Sequence, residues 1–149
     1  MKDAAKQLTE DRVEVRGSPL PPPVLTYLGH NRWRLEHPYP YRDVARTVTV
    51  PGGFEFDLSS VPRVLWWLVA PFDLSVVAPL LHDFLYRWAG APPRGAVEPL
   101  HVYTRHEVDR VFLRIMEIEG VTWWRRVLGY AAVRVFGLWA WRRDREAAR

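Results

Sequence analysis

The pattern of apolar residues changes near residue 60, and this change constrains the fold more than any other feature of the chain. Before it, short strand-like runs are separated by turns rich in glycine and proline. After it, longer apolar segments have the spacing of amphipathic helices. The sequence therefore predicts an α+β fold, in which a small antiparallel N-terminal sheet of two hairpins is followed by three to four packed α-helices.

Two hairpins are predicted in the first part of the chain. The runs VLTYLG and RWRLEH flank the turn residues HN, and the runs RTVTV and FEFDL flank PGG. The segment HPYPY between the two hairpins contains too many prolines to be a central strand, because proline cannot donate a hydrogen bond to a neighbouring strand.

Four helices are predicted in the second part. Thr104 and Glu107 have the spacing of a capping box, which indicates the start of the third helix. The segment APPRGAVEPLHVY before it is predicted to be a loop. The four helices run through VLWWLV after a cap at Ser59 or Ser60 with Pro62 in the first turn, from about Asp73 to Gly90, from Thr104 to Gly120, and from about Thr122 into the tail RRDREAAR.

The composition indicates one folded domain. The chain has 149 residues, 48% of them hydrophobic and 13% aromatic, which suffices for a core and argues against extensive disorder. We predict an extended N-terminal arm over residues 1–23, where SPLPPP favours extended backbone. A single α+β domain follows over residues 24–143, and residues 144–149 form a frayed tail.

The formal net charge of +4 comes almost entirely from arginine, since Lys2 and Lys6 are the only lysines. Many of the arginines alternate with carboxylates, so the charge is mild evidence for an anionic partner, and nucleic-acid binding is not favoured. The absence of cysteine excludes disulfides, thiolate zinc sites and a cysteine nucleophile. The scarcity of side-chain amides, Gln7 and Asn31 alone, is typical of a thermophilic source.

The N-terminal segment MKDAAKQLTEDR lacks the apolar stretch of a signal peptide, so we expect a cytoplasmic protein. Residues 127–141 form an apolar segment that is shorter than the roughly 20 residues that span a bilayer, and this segment contains Arg134. Arginines flank it on both sides. Two interpretations of residues 122–143 therefore remain: a helix that contacts a membrane surface, and an ordinary helix that packs within the protein.

The apolar run LLHDFLYRW, residues 80–88, carries the adjacent ionisable residues His82 and Asp83. On a helix His82 and Tyr86 share a face, whereas Asp83 is turned about 100° away. In the third helix Asp109 lies beside the apolar stripe, so packing of the two helices brings it to His82. A carboxylate fixes the tautomer of a histidine and raises its basicity, which creates a general base for water. Asp83 is then left to hold a cation.

Three segments in this order resemble domain-of-unknown-function family 1353, whose members are small proteins of phages and prophages. They are VPGGFEFDLSSVPRVLWWL, LLHDFLYRW and HEVDRVFLRIMEIEGV, and the resemblance covers roughly residues 45–137. It implies a phage or prophage protein, located in the host-cell cytoplasm if it is phage-encoded, and assigns no activity. The characteristic elements of the family fall here on Asp57 with Ser60, Val61 and Pro62, on His82, Asp83 and Tyr86, and on Asp109 and Phe112.

The pattern His-Asp-x-x-Tyr, followed by an aspartate on a second helix, is also similar to secreted phospholipase A2. This similarity implies that His82 is the base, that Asp109 and Tyr86 orient it, and that Asp83 binds calcium. Asp57 would complete the ligand set. The expected cofactor is therefore a divalent cation, calcium or zinc, although the flanking cysteines and the glycine-rich calcium loop of phospholipases are absent here.

Two functions of different classes remain open from the sequence. The first is a hydrolase of an ester or related bond that uses His82, Asp109 and Tyr86, with a cation at Asp83 and Asp57. The second is a non-enzymatic phage protein that binds and modulates a host or virion protein, such as host transcription machinery. In that case His82 and Asp109 are a satisfied buried pair that joins two helices, and Asp57 equally fits a helix cap.

Overall fold

A computed structural model of the chain describes residues 20–30, 32–57 and 76–147, with backbone alone for Asp57 and residues 143–147. Strands occupy the first part and helices the second, so the predicted α+β class is confirmed. In chain order the described elements are β1 (Leu25–Gly29), β2 (Arg32–Leu35), β3 (Tyr39–Asp43), β4 (Arg46–Val50), β5 (Glu55–Asp57), α1 (Val77–Arg87), β6 (Val97–Glu98), α2 (Arg105–Ile118) and α3 (Trp123–Ala147).

β1, β2 and β5 form one antiparallel sheet with β2 in the middle. The predicted hairpin of β1 and β2 is confirmed, with Tyr27 opposite Trp33. Gly29 and His30 at its turn both have positive φ, as tight hairpin turns require. β5 lies along the other edge of β2, with Phe56 opposite Trp33.

β3, β4 and β6 form a second antiparallel sheet with β4 in the middle. The second hairpin is therefore β3–β4, and the predicted pairing of β4 with β5 across PGG is wrong. β3 is an edge strand, as the prolines of HPYPY require, and its alternate residues Tyr39, Tyr41 and Asp43 are buried. β6 lies within the segment that was predicted to be a loop.

The backbone after the PGG turn follows β2 instead of returning along β4. The amide of Gly53 donates to the carbonyl of Leu35 at 2.6 Å, and the amide of Leu35 donates to the carbonyl of Phe54 at 2.9 Å. Meanwhile Thr47 and Val48 of β4 pair with β6. Alternation of apolar and polar residues specifies which face of a strand is buried but not which strand lies beside it, and this explains the wrong pairing.

α1 corresponds to the predicted second helix. It begins at Val77 and carries Pro79 in its first turn, where the missing N–H would have no helical partner. It ends at Arg87, and Gly90 follows with φ of +80°, close to the predicted stop. The predicted start near Asp73, and the whole predicted first helix with its caps, lie outside the described residues.

α2 and α3 correspond to the predicted third and fourth helices. The capping box of α2 is present: the hydroxyl of Thr104 accepts from the amide of Glu107 at 3.3 Å, and the Glu107 carboxylate accepts from the amide of Thr104 at 2.7 Å. α3 is 25 residues long. Nowhere in the described part of the chain is a helix both long and apolar enough to cross a membrane.

The core lies between the helices and the inner faces of the sheets. α2 packs against both α1 and α3, so it is the central helix of the described bundle. Tyr39 ties the segment before β1 to this core, since its hydroxyl donates to the carbonyl of Pro21 at 2.7 Å. The most deeply buried side chains are Leu35, Val48, Val50, Phe56, Leu80, Leu81, Phe84, Leu85, Val108 and Ile115.

Candidate functional site

Asp109 is an ionisable residue in the middle of the helix packing. Its side chain on α2 has 0% exposure, and its neighbour Val108 is equally buried. Among the described residues, the only other buried charged side chain is that of Asp43. A carboxylate loses its hydration when it is buried, so it must be compensated by hydrogen bonds or opposite charge.

Three side chains donate hydrogen bonds to the Asp109 carboxylate. Oδ1 accepts from Nε2 of His82 at 3.0 Å and from the hydroxyl of Tyr86 at 2.6 Å. Oδ2 accepts from the guanidinium of Arg134 at 2.9 Å, and Nε of Arg105 lies 3.8 Å from the same oxygen. We call these five residues the Asp109 cluster.

Helical spacing explains how the Asp109 cluster is assembled. His82 and Tyr86 are four residues apart on α1, and Arg105 and Asp109 are four residues apart on α2, so each pair shares one face of its helix. Arg134 approaches from α3. The predicted approach of Asp109 to His82 and Tyr86 is therefore found, at the point where all three described helices meet.

A glycine on α3 makes room for Tyr86. A Cβ atom at Gly137 would lie 2.5 Å from the Tyr86 hydroxyl oxygen and 3.0 Å from Cε1 of its ring. The hydroxyl also accepts a hydrogen bond from Nε of Arg105 at 3.3 Å. Gly137 is thus a position of close approach, where any larger residue would displace Tyr86 from Asp109.

The hydrogen bonds of the cluster determine its protonation. Burial alone raises the pKa of Asp109, but the hydrogen bonds from His82, Tyr86 and Arg134 outweigh burial, so the pKa lies below its usual value. Burial and then the hydrogen bond to Asp109 raise the pKa of Tyr86. At neutral pH Asp109 is therefore ionised and Tyr86 is protonated, and each hydrogen bond runs towards the carboxylate.

The tautomer of His82 follows from this charge state. An ionised carboxylate only accepts hydrogen bonds, so Nε2 of His82 carries the proton that is shared with Asp109. In the neutral imidazole the lone pair is then on Nδ1.

Aromatic rings hold the imidazole of His82 in place. The Tyr86 ring is stacked on it at a centroid distance of 4.0 Å, and the Phe112 ring meets it edge-on at 5.2 Å. The His82 side chain is 15% exposed, so it lies at the margin of the core, as its place beside the apolar stripe predicts. The ring is therefore partly open to solvent, whereas Asp109 behind it is sealed.

Asp83 has a different environment. Its carboxylate lies 3.2 Å from Nη2 of Arg87, and the same guanidinium donates to the carbonyl of Glu55 at 2.8 Å and lies over the Phe54 ring. This fixed positive charge opposes binding of a cation at Asp83.

The side chain of Asp57, the second predicted metal ligand, lies outside the description. In the described part of the chain, no group of three or more histidine, aspartate and glutamate side chains could hold a metal ion. The calcium or zinc site at Asp83 and Asp57 therefore stays a prediction.

Three members of this site were not predicted from the sequence: Arg134, Arg105 and Gly137. Arg134 could have been predicted, because an arginine inside the apolar segment 127–141 requires a partner when the segment is packed. Arg105 could also have been predicted, since it precedes Asp109 by four residues on the same helix. Gly137 could not have been predicted, because only the packed helices reveal that the Tyr86 ring lies against it.

Comparison with known proteins gives one match. A family model described as "Protein of unknown function (DUF1353)" matches residues 33–133, which include His82, Asp83, Tyr86 and Asp109. Neither the curated proteins nor the solved structures contain a match to the chain.

Proposed function

The chain belongs to this family of proteins of unknown function, DUF1353, and we propose from the Asp109 cluster that it is a hydrolase of an ester or related bond. His82 is the general base, and Asp109 and Tyr86 are positioning residues. One observation carries the proposal: Nε2 of His82 is bound to a buried, ionised carboxylate while the side chain remains partly open to solvent.

The proposed reaction uses the lone pair on Nδ1 of His82. Nδ1 accepts a proton from water as the water oxygen forms a bond to the carbonyl carbon of the ester. The tetrahedral intermediate then expels the alcohol oxygen, which takes the proton back from Nδ1. An imidazolium exists between the two steps. The negatively charged carboxylate of Asp109, which is bound to Nε2, stabilises it.

Arg134 supports this arrangement in a specific way. It binds Oδ2 of Asp109 and so leaves Oδ1 to His82 and Tyr86. The carboxylate cannot rotate without losing one of these hydrogen bonds. The imidazole is therefore held in one orientation, which is the requirement for proton transfer to a bound water.

The test is a hydrolysis screen with chromogenic carboxylic esters and phosphodiesters. We expect His82→Ala to lower the rate at least about 100-fold, as loss of a general base does, in a variant that stays folded. His101→Ala is the matched control, because His101 also binds a carboxylate, Glu107 at 3.1 Å, but lies outside the cluster. Equal rates for the two variants would refute the proposed role of His82.

The cation at Asp83 and Asp57 stays a proposal of its own. We expect calcium or zinc to bind more tightly when Arg87→Ala removes the competing positive charge. Titration calorimetry with each metal on wild type and Arg87→Ala measures this. Heat that is absent from both proteins would contradict a metal at Asp83.

A non-enzymatic function is the second candidate, and one observation favours it. Arg134 and Arg105 both lie near Asp109, so the carboxylate is fully compensated as a structural link among three helices. In this case the protein binds a host or virion protein, such as host transcription machinery, in the cytoplasm of a phage-infected cell. A large loss of stability in His82→Ala, without hydrolysis in the screen, would support this candidate, and a pull-down from host lysate would then identify the partner.

A further inference from the structure

α3 carries an exposed face that is almost entirely apolar. At 100° per residue, eight exposed positions of α3 fall within about 120° of arc. Trp139 is 82% exposed and Val135 is 68% exposed. The opposite side of α3 packs on the core, so the helix is apolar on both sides, which is typical of a buried helix. We call these eight residues the outer face of α3: Trp124, Val127, Leu128, Ala131, Val135, Leu138, Trp139 and Arg142.

The charges of α3 do not favour a lipid surface as the partner. Helices that lie on anionic membranes place their cations beside the apolar face. Here Arg126 forms an ion pair with Glu117 at 3.0 Å, and Arg134 forms one with Asp109 at 2.9 Å. The Arg125 guanidinium lies over the Trp124 ring of the same chain, 5.3 Å from its centroid. Among the described side chains, Arg142 is the only charged member of the outer face. The surface is therefore better suited to a protein than to phospholipid headgroups.

The spacing of the outer face is symmetric about residue 133. Positions 124 and 142, 127 and 139, 128 and 138, and 131 and 135 are equally distant from that point. A helix with such spacing meets an antiparallel copy of itself residue for residue, as a two-fold interface requires. We propose that the outer face of α3 is the interface of a homodimer in which two α3 helices pack antiparallel.

The antiparallel arrangement also matches side-chain size and charge. Trp139 lies opposite Val127 of the partner subunit, and Val135 lies opposite Ala131 of the partner subunit, so large residues face small ones. Arg142 lies opposite Trp124 of the partner subunit, so the two Arg142 side chains lie at opposite ends of the interface and do not repel each other. A parallel pair would instead place each Arg142 beside its copy and each Trp139 against its copy.

The area of the outer face fits a dimer. At their exposed fractions the six large apolar residues of this face present roughly 700 Å², close to the roughly 800 Å² that one partner contributes to a standard protein interface. Trp123 and Phe136 are exposed beside the face and enlarge this area. Tryptophan and arginine are also the residues that dominate binding energy at such interfaces.

The first experiment measures mass by light scattering after size-exclusion chromatography, over a dilution series. Wild type should elute at twice the chain mass of 17.4 kDa and dissociate on dilution. Val135→Glu should weaken the dimer by at least about tenfold, because it buries a charge at the centre of the interface. Val44→Glu is the matched control: Val44 is 80% exposed in the turn between β3 and β4, and its replacement should leave the dimer intact.

The second experiment tests the antiparallel register. Ala131→Arg and Val135→Glu should each dissociate the homodimer, because each variant introduces a charge opposite an apolar residue. An equimolar mixture of the two should form a heterodimer, in which the new arginine meets the new glutamate across the interface. Native mass spectrometry distinguishes the two chains by mass. A mixture that stays monomeric would overturn the antiparallel register.

The remaining outcomes overturn the proposal. Wild type that is monomeric at every concentration excludes the dimer. Wild type that is monomeric and co-sediments with phosphatidylserine vesicles, with binding lost in Val135→Glu, identifies a lipid surface instead. The dimer is independent of the proposed hydrolase, because none of these variants replaces a residue of the Asp109 cluster, and the ester screen can be run on the same proteins.

Discussion

Asp109→Asn is the substitution that most directly tests the account of the Asp109 cluster. The side chain keeps its shape but loses its charge, and one of its two polar atoms changes from an acceptor to a donor. That donor then faces at least one of the three groups that donate to Asp109 in the wild type. Because the site is fully buried, water cannot replace the lost hydrogen bond.

The expected cost is large for a single atom change. Breaking a buried, hydrogen-bonded charge pair typically costs about 3–5 kcal/mol. For a chain of this length we therefore expect the melting temperature to fall by about 10–15 °C. Urea denaturation followed by tryptophan fluorescence gives the free energy of unfolding directly, since the chain has 8 tryptophans.

Glu117→Gln is the matched control for this experiment. It removes the same charge from an ion pair at a similar distance, 3.0 Å to Arg126, but the Glu117 side chain is 66% exposed. We expect its cost to stay below about 1 kcal/mol. If Asp109→Asn costs no more than this control, Asp109 is not the element that holds the three helices together, and the reasoning is refuted.

Three further predictions follow from individual contacts. Thr104→Ala should cost about 1 kcal/mol through loss of the helix cap, whereas Thr104→Ser should retain most of the stability in urea denaturation; equal losses would contradict the cap. Gly137→Ala should cost about 1–3 kcal/mol by crowding the Tyr86 hydroxyl, and less in a Tyr86→Phe background; a cost that does not depend on the background would show that the hydroxyl is not the obstacle. The pKa values of Asp109 and Glu107 are lowered in the folded protein, so their contribution to stability is present above their unfolded pKa values and is lost as pH falls through their folded ones. Denaturation midpoints measured from pH 7 into the acid range should therefore decrease, and should decrease less in Asp109→Asn; parallel profiles would contradict the lowered pKa of Asp109.

Much of the helical part could be predicted from the sequence because its signals are local. The capping box at Thr104 and Glu107 and the stop near Gly90 are read from neighbouring residues, and the structure places α2 and the end of α1 accordingly. The spacing of His82 and Tyr86 on one helix face was sufficient to expect that a carboxylate from the next helix would meet them.

The strand pairing could not be predicted to the same extent. The sequence indicates that β4 and β5 are strands, and this prediction is confirmed. Their neighbours are decided by packing between segments distant in sequence, so β5 joins β2 and the short β6 joins β4. The PGG turn permits a hairpin but does not require one.

The sequence by itself determined the α+β class, the positions of α2 and α3, and the meeting of His82, Tyr86 and Asp109, because helical periodicity specifies which side chains share a face. Only the tertiary structure decided that Arg134 donates a hydrogen bond to the Asp109 carboxylate and that Gly137 leaves room for the Tyr86 ring. These contacts join α3 to helices far from it in sequence. No local sequence pattern predicts these contacts, because they depend on how three helices pack together around a buried charge.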